Sequence, residues 1–347
     1  MKAHFDESEI FFSEFFDKFS FGKEINKTSD DYIIAPNSVF IVGFDPIVAD
    51  AIRGELYKTS YSFQNLNITD LGNLKNSDEE SLQEVFSKFR NQKCNLMILG
   101  LNTGKILDLL KTWTDFFSNV AFIEKKGDIF FSTEIRKYLD NSVNINKSKL
   151  LCYQTHLLHS NHLEGLKVNQ SMRLGEFRSD FRAIEPLLRD VDFTFFNLDS
   201  IRYSEIPGIK NTTPSGLTSE EACQIMKYVG LNSKYNQIGF VGYDTKFDFH
   251  SQGAMLISQM IWYYLDGLDQ KVNEDADNSS SVQYFLVEMS DYNLTLKFKQ
   301  SKKTGRWWVE IPSEHEGQNY IMPCSEDDFL KASNNELTYR IFSELSL

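Results

Sequence analysis

Residues 193–208 read FTFFNLDSIRYSEIPG, and residues 212–218, a short polar step later, read TTPSGLT. Phe193, Phe195, Phe196 and Leu198 place apolar side chains on both faces of one short strand, the pattern of a strand inside a parallel sheet. Asn197 and Asp199 fall at its carboxyl end, where open parallel sheets carry their chemistry. Thr218 followed by Glu221 is a capping box that opens a helix over 219–229.

Outward from this stretch, strand and helix patterns alternate. Strands are predicted at 38–42 (SVFIV), 96–99 (LMIL), 120–123 (VAFI), 150–154 (LLCYQ) and 237–241 (QIGFV). Helices are predicted at 46–57, with Pro46 in the first turn, and at 78–89, 105–117, 180–189 and 251–265. Short buried strands with helical crossovers make an α/β three-layer domain with a mainly parallel sheet. Residues 1–35 read as an irregular lead-in, in which 11–19 (FFSEFFDKF) has the spacing of a short amphipathic helix. The α/β domain spans 36–268. Residues 269–281, polar and acidic, read as a linker or loop. Residues 282–347 read as a C-terminal extension packed on the main domain. Its strand-like runs VQYFLVEM, NLTLKFK and RWWVEI suit a hairpin, and a helix follows with Ser325 as its cap.

The chain has 347 residues, 41% hydrophobic and 24% charged, with 29 Phe and 15 Tyr to furnish an aromatic core. No apolar run approaches the ~20 residues of a membrane span. Its first residues carry acids where a secretory leader is basic, so a cytoplasmic location is expected. Net charge of −13 argues against nucleic acid and anionic membranes. Lys302, Lys303 and Arg306 beside Trp307 and Trp308 read as a turn feeding a strand. Cys94, Cys152, Cys223 and Cys324 are scattered without a CxxC pair and read as buried thiols.

The opening stretch resembles the signature of the ureohydrolases, the arginase, agmatinase and formimidoylglutamase family. There the strand ends in Ser-Phe-Asp-x-Asp and runs through Pro-Gly to Pro-x-Gly-Gly-Leu-Thr. The lysine-rich turn, Arg-Trp-Trp and Pro-Cys-Ser of the C-terminal part resemble the tail of a bacterial formimidoylglutamase-like branch. The resemblance implies an arginase-like α/β fold with a C-terminal β-containing extension. It also implies a pair of Mn²⁺ ions that activate a water for attack on a linear amidine, and trimers or hexamers.

Carried over motif by motif, the six metal ligands of that family are incomplete. Asn102 and Thr103 stand where the first motif has Asp-His, and a neutral hydroxyl is a poor ligand for such a metal. In the second motif Glu124 substitutes for Asp and Asp128 matches. Lys126 replaces the histidine, and an ammonium has no lone pair to give. In the third, Asn197 replaces one aspartate and Asp199 keeps the other. Beyond it Arg202 falls on the family's Asp-Pro, and Gly242 on its substrate-side Glu. Glu124, Asp128 and Asp199 are thus the residual metal candidates. Asn102, Thr103, Lys126, Asn197, Arg202 and Gly242 mark a degenerate pocket, with Lys126 expected as the counter-charge to Asp128 and Asp199.

His156, His159 and His162 follow a strand end and are rim candidates; their spacing of three suits one helix face. No G-x-S-x-G occurs, and residues 100–104 lack the spacing of a phosphate loop. The expectation is a ureohydrolase-fold protein that binds or assembles without catalysing. No cofactor is expected; a small amidine or amino-acid ligand and a homo-oligomer are the candidate partners. The alternative is a formimidoylglutamase- or arginase-type hydrolase with a rebuilt Mn²⁺ site.

Overall fold

The computed structural model describes residues 4–12, 17–27, 37–90, 94–113, 118–143, 145–159, 171–210, 213–274, 276, 280–312 and 319–345. Its main sheet has ten strands: β1 (Phe5–Asp6), β2 (Asn26–Lys27), β3 (Ser38–Gly43), β4 (Asn67–Leu74), β5 (Asn95–Leu101), β6 (Ser118–Ile123), β7 (Ile145–Tyr153), β8 (Ser171–Arg173), β9 (Phe193–Asn197) and β10 (Gln237–Val241). The order is β1-β4-β3-β5-β10-β9-β6-β7-β8, with β2 also on β4, and every pair except β1–β4 is parallel.

Alternation along each strand divides the core into two layers. Ile41, Leu99, Ile123, Phe196 and Phe240 face the helices Pro46–Leu56, Ser219–Gly230 and Gln252–Asp269. Phe40, Ile98, Phe122, Phe195 and Val241 face the helices Glu79–Arg90, Ile106–Trp113 and Thr133–Asn141. At the centre Phe122 stacks on Phe195 with ring centroids 5.2 Å apart, and Phe195 on Phe193 at 4.3 Å. Each of these buried rings contributes roughly 1.5–3 kcal/mol by leaving water. The two-sided apolar reading of residues 193–198 is therefore met in space. All four cysteines are buried and free.

Several expectations change in detail. Residues of the expected lead-in supply β1 and β2 to the sheet edge, while 13–16 of the amphipathic stretch lie outside the described residues. Residues 180–189 form a 3-10 turn (Phe181–Ile184) and one helical turn (Glu185–Leu188) instead of a continuous helix. The strand expected at 150–154 starts earlier, since β7 begins at Ile145. Its lysines are neutralised in place: Lys147 Nζ lies 2.7 Å from Glu344 Oε1, and Lys149 Nζ 2.5 Å from Asp190 Oδ1.

The C-terminal part is a separate antiparallel sheet, β11 (Val282–Met289), β12 (Leu294–Ser301), β13 (Trp307–Ile311) and β14 (Tyr320–Cys324), so the expected hairpin is part of four strands. Trp307 stacks on Phe329 of the helix Glu326–Ser333 at 4.5 Å between centroids. Ser325 caps that helix, accepting from the Asp328 N–H at 3.1 Å. The Arg189 guanidinium ties the two sheets together, donating to the Trp307 carbonyl at 2.7 Å and lying 5.1 Å from the centre of the Trp308 ring. The Lys302–Arg306 region is the turn that feeds β13, as its sequence implies.

Candidate functional site

The opening stretch builds one wall of a cleft at the carboxyl edge of the sheet. Beyond β9, Asn197 Oδ1 accepts the Asp199 N–H at 3.1 Å, turning the chain into a 3-10 turn, Leu198–Ser200. The TTPSGLT segment then returns to that strand end: the Leu217 N–H donates to Ser200 O at 2.8 Å, and the Arg202 N–H to Leu217 O at 3.0 Å. Gly216 has φ of +146°, and a Cβ there would meet Ser200 O at 2.6 Å, so this return requires glycine. Thr218 then starts the helix Ser219–Gly230 with both halves of the capping box, at 3.1 and 2.8 Å. The sequence signature is thus a folding device first: strand end, return turn, helix start.

The cleft encloses about 720 Å³ where β3, β5, β10 and β9 end. Asn102, Thr103, Asp128, Asn197, Asp199 and Gly242 all line it. Gly242, at φ +94°, would direct a Cβ to 3.1 Å from Asn197 Oδ1, so a glycine here keeps the floor open. Asn102 caps its own turn by accepting the Lys105 N–H at 3.2 Å. Asp45, Lys210, Tyr243, Asp244 and Lys246 also line the cleft and escaped the sequence reading. Asp45 had a signal, because it precedes Pro46 at a strand end and accepts the Val48 N–H at 3.1 Å as the helix N-cap.

Five predicted residues among those described lie elsewhere. Arg202 does not line the cleft; its Nε lies 3.6 Å from Glu205 Oε1. His156 and His159 are exposed beyond β7 and do not line it either, and His162 lies outside the described residues. Lys126 is half-buried and, among the described residues, makes no hydrogen bond or ion pair. Lys125, at 1% exposure, is the lysine enclosed by the fold, and its Nζ has no hydrogen-bond partner among the described residues. Burial, and less strongly the neighbouring Lys126 charge, push its amine below the ordinary lysine value, against Asp199 and, more weakly, Asp128.

Glu124 is equally enclosed. One carboxylate oxygen accepts the Ile129 N–H at 3.1 Å and the Phe130 N–H at 3.5 Å, while Oε1 is buried without a partner. Burial pushes this carboxyl up to about 8 against those two bonds, and Asp128 and Asp199 add to the rise. Glu124 thus holds the 125–130 turn and does not face the cleft as a wall residue.

A manganese pair does not fit these residues. Among the described residues no three His, Cys, Asp or Glu side chains group closely enough to hold a metal ion. Among the described residues no imidazole lines the cleft, and the lost-ligand positions Thr103 and Asn197 present a hydroxyl and an amide.

No family model and no curated protein matches the chain. Among solved structures it is similar to formimidoylglutamase from Bacillus subtilis, with TM-score 0.60 and 16% identity over 71% of this chain and 91% of that one. It is also similar to Trypanosoma cruzi formiminoglutamase with Mn²⁺, at TM-score 0.59, 14% identity and 68% and 94% coverage. Proclavaminate amidino hydrolase from Streptomyces clavuligerus gives 0.57, 13%, 73% and 97%. At these identities the likeness shows the fold: an arginase-like α/β sheet to which a four-stranded antiparallel sheet is added.

Proposed function

We propose that this chain is a degenerate ureohydrolase homologue whose carboxyl-edge cleft binds a small ligand without a manganese pair and without hydrolysing it. The observation that carries the reading is the donor set: Thr103 and Asn197 line the cleft at positions that the family resemblance gives to ligands, with Asn102 beside them. Asp128 and Asp199 remain there, but two carboxylates without imidazoles are a poor home for two transition-metal ions. The placement of the cleft supports retained binding, since it is built on strand ends in the manner of α/β ligand sites. Four aspartates, Asp45, Asp128, Asp199 and Asp244, against two lysines, Lys210 and Lys246, favour a small ligand with a cationic amidine or amino group.

The test is an assay of the purified chain for formamide and urea release, with formimidoylglutamate and guanidino compounds as substrates and Mn²⁺ in excess. No turnover above the uncatalysed rate is expected, while isothermal titration with the same compounds detects binding. Metal-dependent turnover would overturn the reading.

A further inference from the structure

We propose that β11 is a docking edge for a second copy of this chain: the two copies pair β11 antiparallel about a two-fold near Phe285 and join their C-terminal sheets into one. This does not depend on what the cleft binds. The other sheet edges are protected. The main sheet ends in β1 and β2, two residues each, and in β8, three residues. The far edge of the C-terminal sheet, β14, has five residues, carries Pro323 and lies against the helical turn Glu185–Leu188. Short, proline-bearing or covered edges keep strands from pairing with other chains. β11 has none of these devices. It runs for eight residues in unbroken register with β12, holds no Lys, Pro or Gly, and Glu288 is its one charge.

The hydrogen-bond parity shows what the edge offers. The Lys302 N–H donates to Ser281 O at 3.0 Å, while the Ser301 N–H turns the other way, to Arg306 O at 2.8 Å. By this alternation Gln283, Phe285, Val287 and Met289 bond to β12, and Val282, Tyr284, Leu286 and Glu288 direct their N–H and C=O groups outward. Among the described residues nothing bonds to those outward groups. Tyr284 and Leu286, 40% and 72% exposed, stand on one face of the strand. About a two-fold near Phe285, Tyr284 of each copy comes opposite Leu286 of the other, and Glu288 opposite Val282, so no like charges meet. The ends are complementary too. Exposed Lys302 and Lys303 follow the residue paired with Val282, and exposed Asp291 follows Glu288, so antiparallel pairing brings the basic end of each copy to the acidic end of the other. An unrelated extended peptide would need side-chain pockets beside the edge for its recognition. Neither the carboxyl-edge cleft nor the cavity between the two sheets includes a β11 residue.

The experiment measures the solution mass of the full chain by gel filtration with light scattering over a micromolar concentration series, with Leu286→Pro, Leu286→Lys and Phe249→Lys variants alongside. Wild type should run at twice the mass of one chain. Leu286→Pro removes an outward N–H that β12 does not use, so it should give a folded monomer. Leu286→Lys places two ammonium groups near the two-fold and should weaken dimerisation by roughly tenfold or more. Phe249→Lys alters a side chain of the main domain that is 88% exposed and should leave the dimer intact. Should Leu286→Pro fail to fold, Leu286→Lys carries the test. A wild-type chain that is monomeric throughout the series overturns the proposal. So does an assembly that survives both Leu286 substitutions, or one that Phe249→Lys dissociates instead.

Discussion

Lys149 in β7 and Lys125 just beyond β6 are buried lysines on neighbouring strands, and the fold treats them differently. Lys149 Nζ donates to Leu187 O at 2.7 Å and meets Asp190 at 2.5 Å, so its charge is absorbed by structure. Arg53, at the other end of the sheet, is still more completely bonded: Asp70 receives both of its forks at 2.8 and 2.9 Å, and Asn73, Asp50 and Gly72 O take the rest. Lys125 has no such bonds among the described residues, although its exposure is as low. A buried ion that is fully hydrogen-bonded reads as architecture. Lys125 is instead enclosed without such bonds, and among nearby charges Asp199 favours its ionised form most while Lys126 opposes it.

The contrast can be broken most forcefully through Glu124. Its carboxyl sits at about 8 in the folded chain against an ordinary 4.5, so the folded state keeps a proton that the unfolded state has lost. Stability should therefore fall as pH rises from about 4.5 to about 8 and level off above, by roughly 4–5 kcal/mol in total. Glu124→Gln should flatten that slope in denaturant titrations across the same window; an unchanged slope would show the carboxyl to be ionised and otherwise compensated. Arg53→Met comes next. It leaves Asp70 buried without its cation and should cost about 3–5 kcal/mol in urea unfolding, with no effect of Mn²⁺. Lys149→Met should cost about 2–3 kcal/mol, less than Arg53→Met because Asp190 is partly exposed and keeps access to water. Lys126→Ala should change stability by less than about 0.5 kcal/mol, as expected for a half-buried side chain without partners.

Much of the fold was legible because its central strands are apolar on both faces and its helices announce their starts. Phe193–Asn197, Gln237–Val241 and the Thr218–Glu221 capping box needed no tertiary information. Asn67–Leu74 was missed for a physical reason: Asp70, Gly72 and Asn73 spoil its strand pattern, and they are there to receive Arg53. The early part of β7 was hidden likewise by Lys147 and Lys149, whose partners Glu344 and Asp190 are remote in sequence. In the site, the motif positions could be named from the resemblance, but their depth could not. Which of two adjacent lysines is enclosed depends on how the chain bends at Lys125 and Lys126 beyond β6, and counting motif spacings does not supply that. Lys210 and Lys246 reach the cleft from loops whose approach no local pattern encodes.

The most direct measurement is the manganese content of the wild-type chain after equilibrium dialysis against excess Mn²⁺ and removal of free metal. If the substituted motifs no longer hold a metal pair, the protein retains far less than one Mn²⁺ per chain. Retention of two Mn²⁺ per chain would contradict the account.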